Sequence, residues 1–212
     1  MNPAPLAPFY GIVDSAARQP SADLARLLLE GGARALQLRL KQAPARAQFE
    51  AALAIAELCH QAGAMLIVND RPDIALLAGA DGVHLGQDDL PLRAARRLLG
   101  SRAIIGISTH SLEQAVKAER GGADYIGFGP MYPGGLKQTI TAQGLEKLRA
   151  VRAAVKLPIV AIGGIREANV REVLNAGADA VAIISDVIHV QDIPSKVRAI
   201  IAAASGVPEW DP

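Results

Sequence analysis

The sequence predicts an α/β chain folded as a single (β/α)8 TIM barrel, and three observations carry that expectation. Eight short apolar runs recur along the 212 residues, amphipathic stretches separate them, and a Gly-Ala-Asp punctuation returns before alternate runs. Half of the residues are hydrophobic and only 3% are aromatic, as suits a buried parallel sheet wrapped by helices. A chain of this length buries roughly 70% of its unfolded surface, so the core is ample.

The first run, "FYGIVD" from residue 9, precedes the helical pattern "SADLARLLLEGG", and "ALQLRL" leads into "ARAQFEAALAIAELCHQAG". "MLIVND" and "GVHLG" follow, then "LPLRAARRLLG", "AIIGIST" and "SLEQAVKAERGG". "YIGFGP", "PIVAIG" with "REANVREVLNAG", and "AVAIIS" complete the series. These runs are short and lack clean polar alternation, so each reads as a strand buried on both faces. The stretches between them space apolar residues as helices do, with caps at the start and Gly at the end. Eight strands alternating with about eight helices point to the barrel, with an open doubly wound sheet as the alternative. "GGARALQL", "GADGVHLG", "GGADYIGFG" and "AGADAVAI", beginning at 31, 79, 121 and 176, should enter strands 2, 4, 6 and 8, a repeat of two βα modules. That Gly-Ala-Asp makes a good αβ turn is a sufficient explanation. One domain is expected over 1–212, its core at about 9–205 between Pro-rich ends.

With 22 Lys+Arg against 21 Asp+Glu the net charge is +1, so neither nucleic acid nor a membrane surface is an expected partner. The single cysteine, Cys59, has no internal disulfide partner and lies in a helical pattern, as a small core residue in a reducing compartment would. No segment reads as a signal peptide or reaches the ~18 apolar residues of a membrane span. A cytoplasmic protein is expected.

In a barrel of this kind the reacting groups project from the loops after the strands, on the C-terminal face. Those points are unusually polar here: Gln37, Arg39 and Lys41; Asn69 and Asp70; Gln87, Asp88 and Asp89; Ser108, Thr109 and His110; Lys137; Gly163 and Gly164; Ser185. Gln37, Arg39 and Lys41 share one face because strand side chains alternate. Such inward donors call for an anionic or polar partner, either a phosphate or an acid on a neighbouring strand. The carboxylates of "VND" and "GQDD" would repel each other without a cation, and Asp70 and Asp89 suit Mg2+, which takes one or two protein carboxylates. Asp88 could instead cap the next helix, near Leu90, and capping or ion pairing could account for the whole acidic set. "AIGGI" before a helix, with "AIIS" closing the last strand, fits the phosphate site that barrels build from their final loops, although glycine pairs also make tight turns. His84 reads as a hydrogen-bonded core residue, and His110 receives no role.

At these residues the chain resembles the thiamine-phosphate synthase family: "QLRLK", "VND", "HLGQDDLPL", "GISTHS", "GFGP", "QGL", "AIGGI" and "IIS" occur in that family's order over nearly all of residues 9 to 190. The resemblance implies a transferase of thiamine biosynthesis, commonly oligomeric. It would join a 4-amino-2-methyl-5-(diphosphooxymethyl)pyrimidine to 4-methyl-5-(2-phosphooxyethyl)thiazole, releasing diphosphate and thiamine monophosphate. By the same resemblance the segment Gln37, Leu38, Arg39, Leu40 and Lys41 would meet the pyrimidine diphosphate, with Asn69 and Ser108 on the same substrate and Lys137 on its diphosphate. Asp70 and Asp89 would bind one Mg2+ per active site; Gly164, Ile184 and Ser185 would receive the thiazole phosphate. Arg39, Lys41, Ser108 and Lys137 would carry the catalysis, and no activated nucleophile with its base is expected on the rim. One stretch departs from the family. Where its loop after strand 6 usually reads Pro-Thr-x-Thr-Lys, this chain has "PGGLK", with Gly134 and Leu136 for the threonines that grip the thiazole phosphate. Backbone N–H groups, or Thr139 or Thr141, would have to compensate. Otherwise a thiazole tautomerase-like enzyme or a silent phosphate-binding protein is the alternative.

Overall fold

The apolar runs form strands because both of their faces are covered. The computed structural model describes residues 7–133 and 141–205. In it β1 (Phe9–Asp14), β2 (Ala35–Arg39), β3 (Met65–Asn69), β4 (Gly82–Leu85), β5 (Ile104–Thr109), β6 (Tyr125–Phe128), β7 (Ile159–Ile162) and β8 (Ala180–Ile183) pair in parallel, in chain order. β8 returns to β1, with Tyr10 opposite Ala182, and closes the barrel. The closed barrel is therefore present, and the open sheet is excluded.

Helices cover the outside: α1 (Ser21–Glu30), α2 (Ala45–Ala62), α3 (Pro72–Leu77), α4 (Leu92–Leu99), α5 (Leu112–Gly121), α6 (Gly144–Ala154), α7 (Val170–Asn175), α8 (Ser185–Ile188) and α9 (Ile193–Ser205). α7 follows a 3-10 turn at Glu167–Asn169. Left-handed Gly63 and Gly122 end α2 and α5 as expected. The expected starting caps are mostly absent. Of the residues before these α-helices, Ser111 takes the Gln114 N–H at 3.2 Å ahead of α5, and Asp192 takes the Ser195 N–H at 3.0 Å ahead of α9. Pro20, Pro44 and Pro91 precede α1, α2 and α4 with no side-chain cap. Proline's fixed φ lowers the entropy cost of starting the helix, although it accepts none of the free N–H groups of the first turn. Among the described residues no helix is long and apolar enough to cross a membrane.

Strand alternation divides the interior in two. One set, including Val13, Leu36, Leu38, Val68, Ile105 and Phe128, packs outward against the helices, and Cys59 joins it from α2. Burial pushes the Cys59 thiol up to about 12, so it is an apolar filler and not a nucleophile. The other set, Tyr10, Ile12, Ala35, Ile67, Tyr125, Val160, Ala180 and Ala182, fills the barrel itself. Two tyrosines fit there because facing residues are small: a Cβ on Gly106 would lie 2.1 Å from the Tyr125 ring.

The Gly-Ala-Asp repeat has a physical purpose. Asp81, Asp124 and Asp179 stand immediately before β4, β6 and β8, and each takes a backbone N–H of the neighbouring odd strand. The donors are Leu66 of β3 at 2.8 Å, Ile105 of β5 at 2.7 Å and Ile159 of β7 at 2.8 Å. Arg96 and Arg152 pair with Asp124 and Asp179. These clamps fix strand register at the N-terminal face, the end of such a barrel that serves stability. The opposite end is left for chemistry.

Candidate active site

Strand β2 supplies the cations. Gln37 faces the barrel interior, only 6% exposed, and Arg39 ends the strand opposite Asp14 of β1. Arg39 Nη1 donates to Asp14 Oδ2 at 2.5 Å, and Asp14 Oδ1 accepts from the Ala16 N–H at 2.8 Å. The acid on a neighbouring strand is thus real, and the sequence reading did not single it out. Its signal was available, a carboxylate ending an otherwise apolar strand. With its side chain 2% exposed, Asp14 holds Arg39 in place but uses one of the five N–H groups a guanidinium offers. Leu38 lies in the outer core and Leu40 packs partly buried against it, which leaves their backbone to meet a substrate.

Just past β2, Lys41 Nζ lies 2.7 Å from Asp70 Oδ2. Asp70 follows β3 with a positive φ of 62°, a conformation that non-glycine residues seldom adopt and that functional sites often retain. Its N–H donates to the His84 carbonyl at 2.8 Å, which fixes the turn beside β4. From the loop after β4, Asp89 Oδ2 accepts the Gly86 N–H at 2.6 Å. The two carboxyls are close enough for each to shift the ionisation of the other. Burial raises the Asp89 carboxyl and the neighbouring Asp70 charge raises it further. For Asp70, burial works upward as well, but Lys41 and Asp89 together outweigh it and the net shift is downward. Two facing carboxylates, one of them straining to take up a proton, are a donor set that suits a hard divalent cation. Among the described residues no group of three or more His, Cys, Asp or Glu side chains gathers as a metal site, so a divalent ion held by these two carboxylates would take its remaining ligands from substrate and water. Asp88 does not cap the next helix: α4 begins at Leu92 behind Pro91, with no side-chain cap.

His84 and Ser108 form a pair that the sequence did not suggest. His84 Nε2 lies 2.8 Å from Ser108 Oγ, and Nδ1 lies 2.9 Å from the Tyr125 hydroxyl. Tyr125 in turn meets the Tyr10 hydroxyl at 2.8 Å, and Gln37 Nε2 reaches Tyr10 at 3.4 Å. A serine bonded to an imidazole has the outline of a nucleophile and its base. Burial, however, lowers His84 to about 4, with the Asp70 charge opposing and Lys41 reinforcing the shift. An imidazole that weak is a poor base at neutral pH. His84 is the hydrogen-bonded core residue expected, with a rim serine at its outer end.

The last loops form a second region. Gly163 and Gly164 have φ of 97° and 68°, and a Cβ on Gly164 would lie 2.8 Å from that of Tyr132, so glycine is required on both counts. Met131 N–H donates to the Ile162 and Gly163 carbonyls, and Tyr132 N–H to Gly163, which ties the start of the loop after β6 to β7. His110 Nδ1 contacts the Gly129 carbonyl at 2.6 Å. Ile184 packs between both apolar sets, and exposed Ser185 opens α8. Behind them Lys196 of α9 bonds Glu167 at 2.8 Å and Asp186 at 3.0 Å. Lys137, Gly134, Leu136 and Thr139 lie outside the described residues. Thr141 is exposed, and its carbonyl accepts from Gln143 Nε2 at 2.8 Å.

Fold and site together define a (β/α)8 barrel with cations, facing carboxylates and a glycine-bearing loop at the C-terminal ends of its strands, the class of barrel built to handle phosphorylated small molecules. The chain belongs to the thiamine monophosphate synthase family, whose model matches residues 9–187. It is 48% identical over 192 residues to the thiamine-phosphate synthase of Moorella thermoacetica, covering 89% of this chain and 91% of that one. Its identity to the thiamine-phosphate synthase of Methanospirillum hungatei is 51% over 176 residues, 82% of this chain and 85% of the other. Thiamine phosphate pyrophosphorylase from Pyrococcus furiosus superimposes with a TM-score of 0.88 at 37% identity, covering 96% of this chain and 98% of that structure.

Proposed function

We propose that this protein is a Mg2+-dependent thiamine-phosphate synthase. It transfers the aminopyrimidine-methyl group of 4-amino-2-methyl-5-(diphosphooxymethyl)pyrimidine to the ring nitrogen of 4-methyl-5-(2-phosphooxyethyl)thiazole, releasing diphosphate. The observation that carries this reading is the contiguous Lys41–Asp70–Asp89 set in a chain of that family. In this reading Arg39, Lys41 and Lys137 oppose the charge that builds on the departing diphosphate. Asp70 and Asp89 hold Mg2+, which when bound neutralises phosphate oxygens. Asn69 and Ser108 seat the pyrimidine, while Gly164, Ile184 and Ser185 take the thiazole phosphate. Holding the thiazole nitrogen in line then replaces a chance encounter with an oriented one. A CH2 on an electron-rich ring can shed diphosphate before the new bond forms, so no enzyme nucleophile is needed, in keeping with the weak basicity of His84.

A cytoplasmic location and self-association complete the reading. The test supplies both substrates with Mg2+ and measures diphosphate. Release that requires both supports the synthase; isomerisation of a thiazole phosphate alone, or saturable binding without turnover, would replace this reading with the tautomerase or the silent binder.

A further inference from the structure

The barrel interior contains a continuous line of hydrogen-bonding groups, Gln37, Tyr10, Tyr125, His84 and Ser108, four of them buried and drawn from five different strands. Its direction follows from donor counting. Gln37 presents its amide nitrogen to the Tyr10 oxygen, so the Tyr10 proton turns to Tyr125, 2.8 Å away. The Tyr125 oxygen has then accepted a bond, and its own proton goes to His84 Nδ1 at 2.9 Å. With Nδ1 an acceptor, the ring is neutral and carries its single proton on Nε2, which donates to Ser108 Oγ at 2.8 Å. The hydroxyl proton of Ser108 is the one left over. Among the described residues Ser108 Oγ has His84 as its sole partner, and Gln87 Nε2 pins the Ser108 carbonyl at 2.5 Å. The carbonyl and one of the two hydroxyl lone pairs of this serine are therefore committed, and its proton is free for the mouth of the barrel.

We propose that Tyr125, seconded by Tyr10, is a positioning residue that fixes the tautomer of His84 so that Ser108 presents its hydroxyl as a donor to an acceptor atom of the pyrimidine substrate. This rests on the reading above, in which Ser108 meets that substrate. A barrel filled only by aliphatic side chains would pack as well without buried hydroxyls, and an unsatisfied hydroxyl is costly to bury. A complete line ending at a rim serine explains why these groups are polar and why Gly106 makes room for Tyr125.

The full-length protein labelled with 15N-histidine tests the line directly. The His84 signals, identified by their loss in His84→Gln, should show a protonated Nε2 and a bare Nδ1. A protonated Nδ1 reverses the line and overturns the proposal, whatever the enzyme makes. Kinetics test its use. Tyr125→Phe keeps the ring but should lower kcat roughly 10- to 100-fold, the range seen when a group orienting a ligating side chain is removed. The same change should add nothing in a Ser108→Ala background, because the two residues act as one unit. Tyr10→Phe deletes an equally buried hydroxyl yet leaves Tyr125 able to donate to Nδ1, and should lose less. Additive losses, an equal or larger loss in Tyr10→Phe, or full activity in Ser108→Ala would each overturn the proposal. Failure of the wild type to join the two substrates would instead defeat the assignment as a synthase and leave the tautomer measurement standing.

Discussion

Asp70 is the residue on which the electrostatics of the site turns. It lies between Lys41 and Asp89, in a backbone conformation that non-glycine residues seldom adopt. Asp70→Ala should remove most diphosphate release at saturating Mg2+; near-normal rates would refute the metal assignment. His84 makes a second prediction, on stability. Its pKa falls from 6.5 unfolded to about 4 folded, so between those values the unfolded chain binds the extra proton. Its contribution is thus complete above pH 6.5 and fades as pH drops towards 4, a loss of about 3 kcal/mol for one group. Denaturant titrations of wild type and His84→Gln at several pH values should differ in slope across that window and run parallel above it. At this scale the sequence was informative about identity but not about pairing. It flagged Arg39, Asp70, Asp89 and Ser108 but passed over Asp14, whose place at the end of an apolar strand was a usable signal, and the two tyrosines, because a phenol within an apolar run looks like any other strand residue.

Elements were legible where periodicity or glycine marks them. The eight runs became eight strands, and the Gly-Ala-Asp repeat does enter β2, β4, β6 and β8. Only the structure shows why three of those repeats carry aspartate: each carboxylate accepts an N–H from the first two residues of the strand next door. The first repeat has Arg34 at that place, and its carbonyl still takes the Met65 N–H at 2.9 Å. Asp124→Ala removes the bond to Ile105 and leaves Arg96 without its carboxylate. Unfolding should show a loss of about 2 kcal/mol, a fall in Tm of roughly 4–8 °C for a chain of this size. kcat should hold, since the clamp is at the end of the barrel away from the site. Helix starts were read less well. Proline stood where a capping side chain was expected, and a preset φ leaves no hydrogen-bonding signature to find.

Across the whole molecule, the barrel can hold a polar line only if bulky and small residues alternate around it. Gly106→Ala tests this. A methyl there would press on the Tyr125 ring, and overpacking of this kind costs about 1–3 kcal/mol. It should also lower kcat if Tyr125 orients Ser108, whereas an unchanged kcat per folded molecule would confine Gly106 to packing. By itself the sequence determined the order of elements, an eightfold strand–helix alternation that pointed to a barrel, the family and the residues at the strand ends, because burial patterns and strand-end chemistry are local properties that the chain writes in linear order. The tertiary structure alone decided that Arg39 is held by Asp14, that Asp70 and Asp89 face one another beside Lys41, and that two tyrosines and a histidine lead to Ser108. Those partners are far apart in the chain, and closure of the sheet, which fixes register and turns alternate side chains inward, is what brings them within a hydrogen bond's reach.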